Sequence, residues 1–289
     1  MMLEVKDLLI KPPPLRWNDQ LLLALGYLGG KRSPYRVPVM DEKNFIKGVI
    51  SGRRILEVLV GRRGEALRAR KGLKGTLMEP IYLFSDEAHN IFPEWISLEV
   101  LLQYMAENSL GHVFIVDSSG ALKGMVSEAS ILTKLRGKPI EMKVGEVMRD
   151  QVYCIKPEVT LFEAAVMMTD RQIRRLPVVL EDKLVGIVTA TDILHHILVH
   201  SSNLDSLPDD TIVEDVLRER VEEIMSRPVS ILSGCDIGEA INKIVDNEVS
   251  GLPVVTSENR LVGMVSRIDL ITKPVRTKGA AFLASKMGA

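Results

Sequence analysis

Four stretches end an apolar run in a hydroxyl and carry another side chain three residues on: Ser51 with Arg54, Ser127 with Ser130, Thr189 with Asp192, and Ser266 with Asp269. Residues three apart at a helix start share a face. There the hydroxyl and the free backbone N–H groups suit a phosphate, and a carboxylate can accept charge-assisted bonds from two adjacent sugar hydroxyls. The same spacing is also a capping box, in which the pair merely satisfies its own backbone. The first half of the chain supplies a control. It keeps the hydroxyls but has Arg54 and Ser130 in place of the carboxylates, while its helical pattern continues. Capping alone therefore does not account for Asp192 and Asp269.

Other residues invite chemistry less strongly. His196 and His200 have the i, i+4 spacing of two metal ligands on one helical face. No third ligand follows at a useful distance, so an exposed helix end is the default reading and no metal is expected. Between Gly61 and Gly75, Arg62, Arg63, Arg68, Arg70, Lys71 and Lys74 face a single acid, Glu65. Such a patch can serve nucleic acid or an acidic partner. Without interleaved aromatics to stack on bases, a solvated loop is the better reading. Cys154 and Cys235 belong to no paired spacing, which argues against disulfides or a zinc cluster and for a reducing cytoplasm. There is no nucleophile with its base, no P-loop and no Gly-x-Gly-x-x-Gly phosphate loop, so catalysis is not expected.

The elements that hold these residues recur. One phrase appears four times: apolar strand, polar turn, a second strand carrying Gly, then a hydroxyl leading into a helix. The copies are YRVPVMDEKNFIKGVISGRRIL from Tyr35, GHVFIVDSSGALKGMVSEASIL from Gly111, RRLPVVLEDKLVGIVTATDIL from Arg174, and SGLPVVTSENRLVGMVSRIDLI from Ser250. Their glycines, Gly48, Gly124, Gly186 and Gly263, are spaced 76, 62 and 77 residues apart. Long, short, long means that the unit is a pair of repeats, and the chain is two similar halves. A helix precedes each first strand. Thr160 with Glu163 and Asp236 with Glu239 form capping-box starts, followed by Leu161, Ala164, Ala165 and Met168 and by Ile237, Ala240, Ile241 and Ile244 at helical spacing. The strands are rich in β-branched residues, as a buried sheet requires. One repeat is too small to cover both faces of its sheet, so repeats must pack in pairs.

The Leu-Pro-Val-Val strands and the Gly-Ile-Val-Thr-Ala-Thr-Asp run resemble the cystathionine-β-synthase (CBS) domain. The resemblance spans nearly the whole chain. It implies an α/β (α+β) fold of four repeats forming two tandem pairs, each called a Bateman module, in a flat disc with pseudo-fourfold symmetry, similar to the γ subunit of AMP-activated protein kinase. The first module would span 1–138, with repeats at about 1–60 and 73–136. The second would span 139–275, with repeats at about 141–200 and 215–275, leaving 276–289 as a tail.

The family further implies a non-catalytic regulator that binds AMP, ADP or ATP between the repeats of a pair, or else S-adenosylmethionine or NADH. By that analogy each pocket is crossed. Asp269, with Ser266 and Ile268, would hold ribose while adenine lies near Val152, Tyr153 and Ile173 and phosphate meets Arg174 and Arg175. Asp192, with Thr189 and Thr191, would face Val229, Ser250 and Gly251. The departures at Arg54 and Ser130 argue against ordinary nucleotide binding in the first half. His112 nevertheless occupies the place of Arg175, which makes an anion contact there conceivable.

Bulk properties agree with a soluble sensor. The 289 residues are 46% hydrophobic and 26% charged, with 37 basic against 38 acidic side chains, so no global field favours nucleic acid or an acidic membrane. The N-terminal stretch lacks the apolar centre of a signal peptide, and Leu21–Leu28 is far shorter than the roughly 20 residues needed to span a bilayer. The expected partners are an adenine nucleotide, a regulated protein, and a second disc through helical faces; the alternative is a scaffold using segment 62–74.

Overall fold

A computed structural model describes residues 3–30, 35–201 and 207–288. The repeated phrase folds four times into the same unit. In the first repeat, helix α1 (Leu21–Leu28) precedes the hairpin of β1 (Arg36–Met40) and β2 (Ile46–Ser51), which leads into α2 (Gly52–Leu59). Helix α3 (Glu65–Leu77) crosses to the second repeat: β3 (Ile91–Pro93), α4 (Leu98–Glu107), β4 (His112–Val116), β5 (Leu122–Ser127) and α5 (Glu128–Leu135). The third comprises α6 (Val144–Val147), α7 (Leu161–Asp170), β6 (Arg175–Leu180), β7 (Lys183–Thr189) and α8 (Ala190–Ser201). Then α9 (Val213–Val216) and α10 (Val221–Ile224) lead to the fourth: β8 (Ile231–Leu232), α11 (Ile237–Asp246), β9 (Gly251–Val255), β10 (Leu261–Ser266) and α12 (Asp269–Lys278).

Every hairpin is antiparallel with one register: Val39 faces Gly48, Ile115 faces Gly124, Val178 faces Gly186 and Val254 faces Gly263, each beside a bulge. The four glycines have a common cause. A Cβ on Gly48 would stand 2.8 Å from the Asp86 carbonyl oxygen, on Gly124 3.0 Å from that of Ile10, on Gly186 2.3 Å from Met225 Sδ, and on Gly263 2.9 Å from the Arg149 carbonyl oxygen. In each case the intruding atoms belong to the other repeat of the same half, whose chain lies directly across the hairpin. Single antiparallel bridges mark these crossings, Val49 to Asp86, Met125 to Ile10, Ile187 to Ser226 and Met264 to Arg149. Glycine is what lets a backbone approach that closely.

The apolar helix faces do not meet where the pairing argument would put them. One core joins the first repeat to the third, with Leu21, Leu25, Ile55 and Leu59 packed among Leu161, Ala165, Ile193 and Ile197. The other joins the second to the fourth, with Leu101, Leu102, Ile131 and Leu132 among Ile237, Ile241, Leu270 and Ile271. Repeats of one half thus touch along strands, and helices close the disc between halves. Periodicity shows that a helix has a buried face without saying against what, which is why the sequence suggested packing within a pair. Segment 276–288, read from sequence as a tail, instead completes α12 and forms α13 (Ala280–Met287), whose Leu283, Ala284 and Met287 are buried in the second core. Among the described residues no helix is long and apolar enough to cross a membrane.

Candidate functional site

The four hydroxyls sit where the sequence placed them, each at the end of its second hairpin strand. Ser51 Oγ accepts from the Arg54 N–H at 3.1 Å, Ser127 Oγ from Ser130 at 3.3 Å, and Thr189 Oγ1 from Asp192 at 3.3 Å. The helices of the first half are therefore capped without a carboxylate, as the internal control required. Where a carboxylate is present, it joins the cap as well. Asp192 Oδ2 accepts from the Thr189 N–H and hydroxyl, both at 2.7 Å, and Asp269 Oδ2 accepts from the Ser266 N–H at 3.0 Å and from its hydroxyl. Capping and sugar binding are thus not exclusive, because each carboxylate has a second oxygen.

What that oxygen meets depends on the residue that the opposite repeat brings across the glycine. Opposite Asp269 stands Arg149, which donates from Nε and Nη2 to Oδ1, both at 3.2 Å. Asp269 is 3% exposed and fully paired. Opposite Asp192 the equivalent residue is Ser226, and Asp192 Oδ1 has no hydrogen bond among the described residues. Burial raises the Asp192 pKa, against the pull of the Thr189 bonds. In the first half, Arg54 is pinned to Asp86 through Nε at 3.1 Å and through Nη2, and also to Glu57, so that cleft carries the Asp269–Arg149 pair with its signs exchanged. The fourth crossing, Ile10 over Met125 beside Ser127 and Ser130, has no charged pair and stays open. A cavity of 710 Å³ lies there, within the size of ligand sites, lined by Ile10 to Pro13 and Ser127 and reaching the disc centre.

At the centre the entrances of the four first strands converge. Arg36 Nη1 lies 3.2 Å from His112 Nδ1, linking the first and second repeats. The Arg174 guanidinium lies 3.9 Å over the Tyr35 ring, linking the third and first, a cation–π contact. Arg175 donates to Ser250 Oγ at 2.8 Å and to its carbonyl at 2.6 Å, linking the third and fourth. A Cβ on Gly251 would come within 3.2 Å of Arg175 Nε, so glycine makes room for the guanidinium. Desolvation, with Arg174 and Arg267 nearby, pulls the Arg175 pKa down to about 9, and burial lowers Arg36 and Arg267 as well. Burial and Arg36 together push His112 down to about 3, so the ring is neutral. The Tyr35 hydroxyl and His112 Nε2 are both buried without a hydrogen-bond partner among the described residues. Buried polar atoms are normally hydrogen-bonded, and two such orphans beside one cavity mark a place for a ligand or ordered water.

The sequence-predicted residues are therefore partly regrouped. Thr189 with Asp192, Ser266 with Asp269, and Arg175 with Ser250 and Gly251 come together, although the last three had been divided between two clefts. Arg174 points across to Tyr35 and lines the cavity of the first half, where no ordinary nucleotide site was expected. Tyr153 is exposed with Arg171 4.9 Å over its ring, Val229 packs on the second core, and Ile173 packs on the first. Val152, Thr191 and Ile268 are half-buried. Sequence reasoning missed Arg149, Tyr35, Arg36, Glu128 and Arg267. The alignment that set His112 in the place of Arg175 would also have shown Arg36 there had it been extended to the first repeat; Arg149 carries no comparable signal, since its partner lies 120 residues away. Half of the basic segment is paired with acids, Lys71 with Glu79, Lys74 with Asp209 at 3.0 Å and Arg63 with Asp86 at 3.9 Å, while Arg68 donates to the carbonyls of Val58 and Gly61.

Comparison with known proteins agrees with this architecture. A 33.4 kDa protein in the ribosomal RNA operon of Thermofilum pendens is 28% identical over 268 residues, 86% of this chain and 84% of that one. A Methanocaldococcus jannaschii protein, described as a candidate archaeal homologue of the γ subunit of AMP-activated protein kinase, shares the fold with a TM-score of 0.82 at 21% identity, over 94% of this chain and 99% of that one. A conserved Pyrococcus horikoshii protein does so with a TM-score of 0.60 at 20% identity, over 94% and 100%. The CBS domain family model matches residues 83–137, 144–199 and 221–276, more than half of the chain, and the first repeat shares their hairpin register. The protein belongs to the CBS-domain family.

Proposed function

We propose that this protein is a non-catalytic regulatory sensor of an adenine nucleotide, AMP, ADP or ATP, held between repeats with its phosphates directed at the disc centre. The observation that carries the reading is the cluster of desolvated Arg36, Arg175 and Arg267, with Arg174 over the Tyr35 ring beside them, next to two orphaned polar atoms. Lys11, Arg36, Arg174 and Arg267 line the cavity against Glu128 and Glu248 alone, a balance that favours an anion. Planar guanidinium forks suit phosphate, to which they donate two bonds at once. Adenosine would enter at Asp192, whose free Oδ1 can accept from ribose, and at Asp269 once Arg149 swings away.

The arginine cluster disfavours the sulfonium of S-adenosylmethionine, and the ion pairs of segment 63–74 weaken the alternative of a nucleic-acid scaffold. Thermal denaturation with AMP, ADP, ATP, adenosine and S-adenosylmethionine tests the reading. A ligand at 100 times its Kd adds about 2.7 kcal/mol of stability. Nucleotides should raise Tm well above adenosine, and Arg36→Ala with Arg174→Ala should remove the difference. A shift from adenosine or S-adenosylmethionine alone would refute the phosphate assignment, and no shift from any of them would refute the sensor.

A further inference from the structure

Helix α8 begins with the Thr189–Asp192 cap and ends with His196 and His200 on adjacent turns. A third group meets them from outside the helix. A ring nitrogen of each histidine and a carboxylate oxygen of Glu219, in the chain after α9, lie within 4.8 Å of one another. His196 Nδ1 is 3.9 Å from Glu219 Oε2. The other ring nitrogens are already committed. His196 Nε2 lies 2.9 Å from the Val216 carbonyl oxygen and His200 Nδ1 2.8 Å from that of His196. A carbonyl can only accept, so these nitrogens carry the protons and leave Nδ1 of His196 and Nε2 of His200 with free lone pairs. Second bonds of this kind fix the tautomer and ring orientation of metal-binding histidines.

We propose that His196, His200 and Glu219 bind a divalent transition-metal ion of the zinc type. Two imidazoles with one carboxylate form a borderline N/N/O donor set, which suits zinc and its neighbours rather than magnesium or calcium. Tetrahedral zinc bonds of about 2.0–2.1 Å set the donors about 3.3 Å apart, so closure by at most about 1.5 Å completes the site, with water in the fourth position. His196 is buried while His200 is exposed, which gives the ion an anchored floor and an open entrance. The anchoring is firm on both sides: Leu161 donates to the Glu219 carbonyl at 2.9 Å and Phe162 to that of Leu217 at 3.0 Å. The ion would clasp the end of the helix that carries Asp192 to the segment leading into the fourth repeat. Its role is structural, at a seam separate from the central arginines.

The test uses the full chain, stripped with a chelator and titrated with zinc(II) against a chromophoric competitor, and with cobalt(II) for its visible spectrum. One equivalent should bind, with a tetrahedral cobalt band and a zinc-dependent rise in Tm. All three should vanish in His200→Ala with Glu219→Gln, both accessible positions whose variant should melt like the stripped wild type. His200→Ala alone should lose the band and keep the fold. Absence of stoichiometric uptake, or uptake unchanged in these variants, would overturn the proposal. So would a cobalt spectrum with thiolate character that disappears in Cys154→Ser, because the metal would then sit on cysteine.

Discussion

His112 offers a quantitative test of the disc centre. It is 5% exposed, it contacts Arg36, and its pKa falls from 6.5 to about 3. In the unfolded chain the ring recovers its ordinary value, so between pH 6.5 and about 3 the unfolded state binds a proton that the folded state refuses. Stability is unaffected above pH 6.5 and is lost as pH falls below it, at about 1.4 kcal/mol per pH unit. From pH 7 to pH 5 this one ring should remove about 2 kcal/mol. Carboxylates titrate as well, so the informative quantity is a difference of differences. His112→Asn keeps an acceptor for Arg36 Nη1 and abolishes the titration. Urea unfolding of both proteins at pH 7 and pH 5 should show the wild type losing about 2 kcal/mol more than the variant. Parallel losses would mean that the ring is not held neutral in the folded disc, and the account of a desolvated cationic centre would fail with it.

Asp192→Asn retains shape but removes charge from the free carboxylate; losing a charge-assisted bond of about 1.5–3 kcal/mol should weaken nucleotide binding about 10–100-fold by calorimetry, with little change in Tm. Arg54→Ala leaves Asp86 and Glu57 without their shared cation, and because Asp86 is 39% exposed the expected loss is a modest 1–2 kcal/mol or so, smaller at high salt, read from urea midpoints at two ionic strengths. The Asp236 carboxylate accepts the N–H groups of Ile140, Glu141, Met142 and Gly238; burial pushes its pKa up, but these bonds outweigh it and hold it low. Asp236→Asn should therefore cost about 2 kcal/mol at pH 7 and progressively less as pH falls below the ordinary carboxylate range, where the wild type itself becomes protonated. A Cβ on Gly64 would stand 1.9 Å from the Val58 carbonyl oxygen, so Gly64→Ala should lower stability by about 1–3 kcal/mol by calorimetry.

Much of this molecule can be read from one phrase. The hydroxyl caps at Ser51, Ser127 and Thr189 and the helices starting after Thr160 and Asp236 follow from local chemistry, since each is decided by neighbours within four residues; the four glycines are visible as a repeat, but their cause is the chain of the other repeat. What was illegible depends on encounters between distant segments. Apolar spacing announces that α2 and α5 are half-buried, but only the disc shows that their partners are α7, α8 and α11 of the other half. The Ser/Thr-x-x-Asp motif declares a carboxylate, yet whether its outer oxygen is free at Asp192 or occupied at Asp269 is settled by Ser226 or Arg149 across the glycine. Glu219 escaped notice because it reaches the histidines from beyond a separate helix.

The cross-half cores bear directly on how a bound ligand could be felt. Helices α7 and α8 of the third repeat are rooted in one core and α11 and α12 of the fourth in the other, so the seam between these repeats also joins the two cores. Across it run the strand crossings, the Arg149–Asp269 and Arg175–Ser250 pairs, the bond from Asn259 to the Leu184 carbonyl, and the backbone bonds that join Leu161 to Glu219, Phe162 to Leu217 and Val144 to Cys235. A nucleotide gripped by a carboxylate from one repeat and an arginine from another would add contacts across this seam. Binding energy would then act on the relative placement of the two cores rather than on the interior of either. A ligand can shift such an equilibrium only by its difference in affinity for the two arrangements. Arg36, Arg174 and Arg175, each bonded to a different repeat, are placed to report that difference around the whole disc.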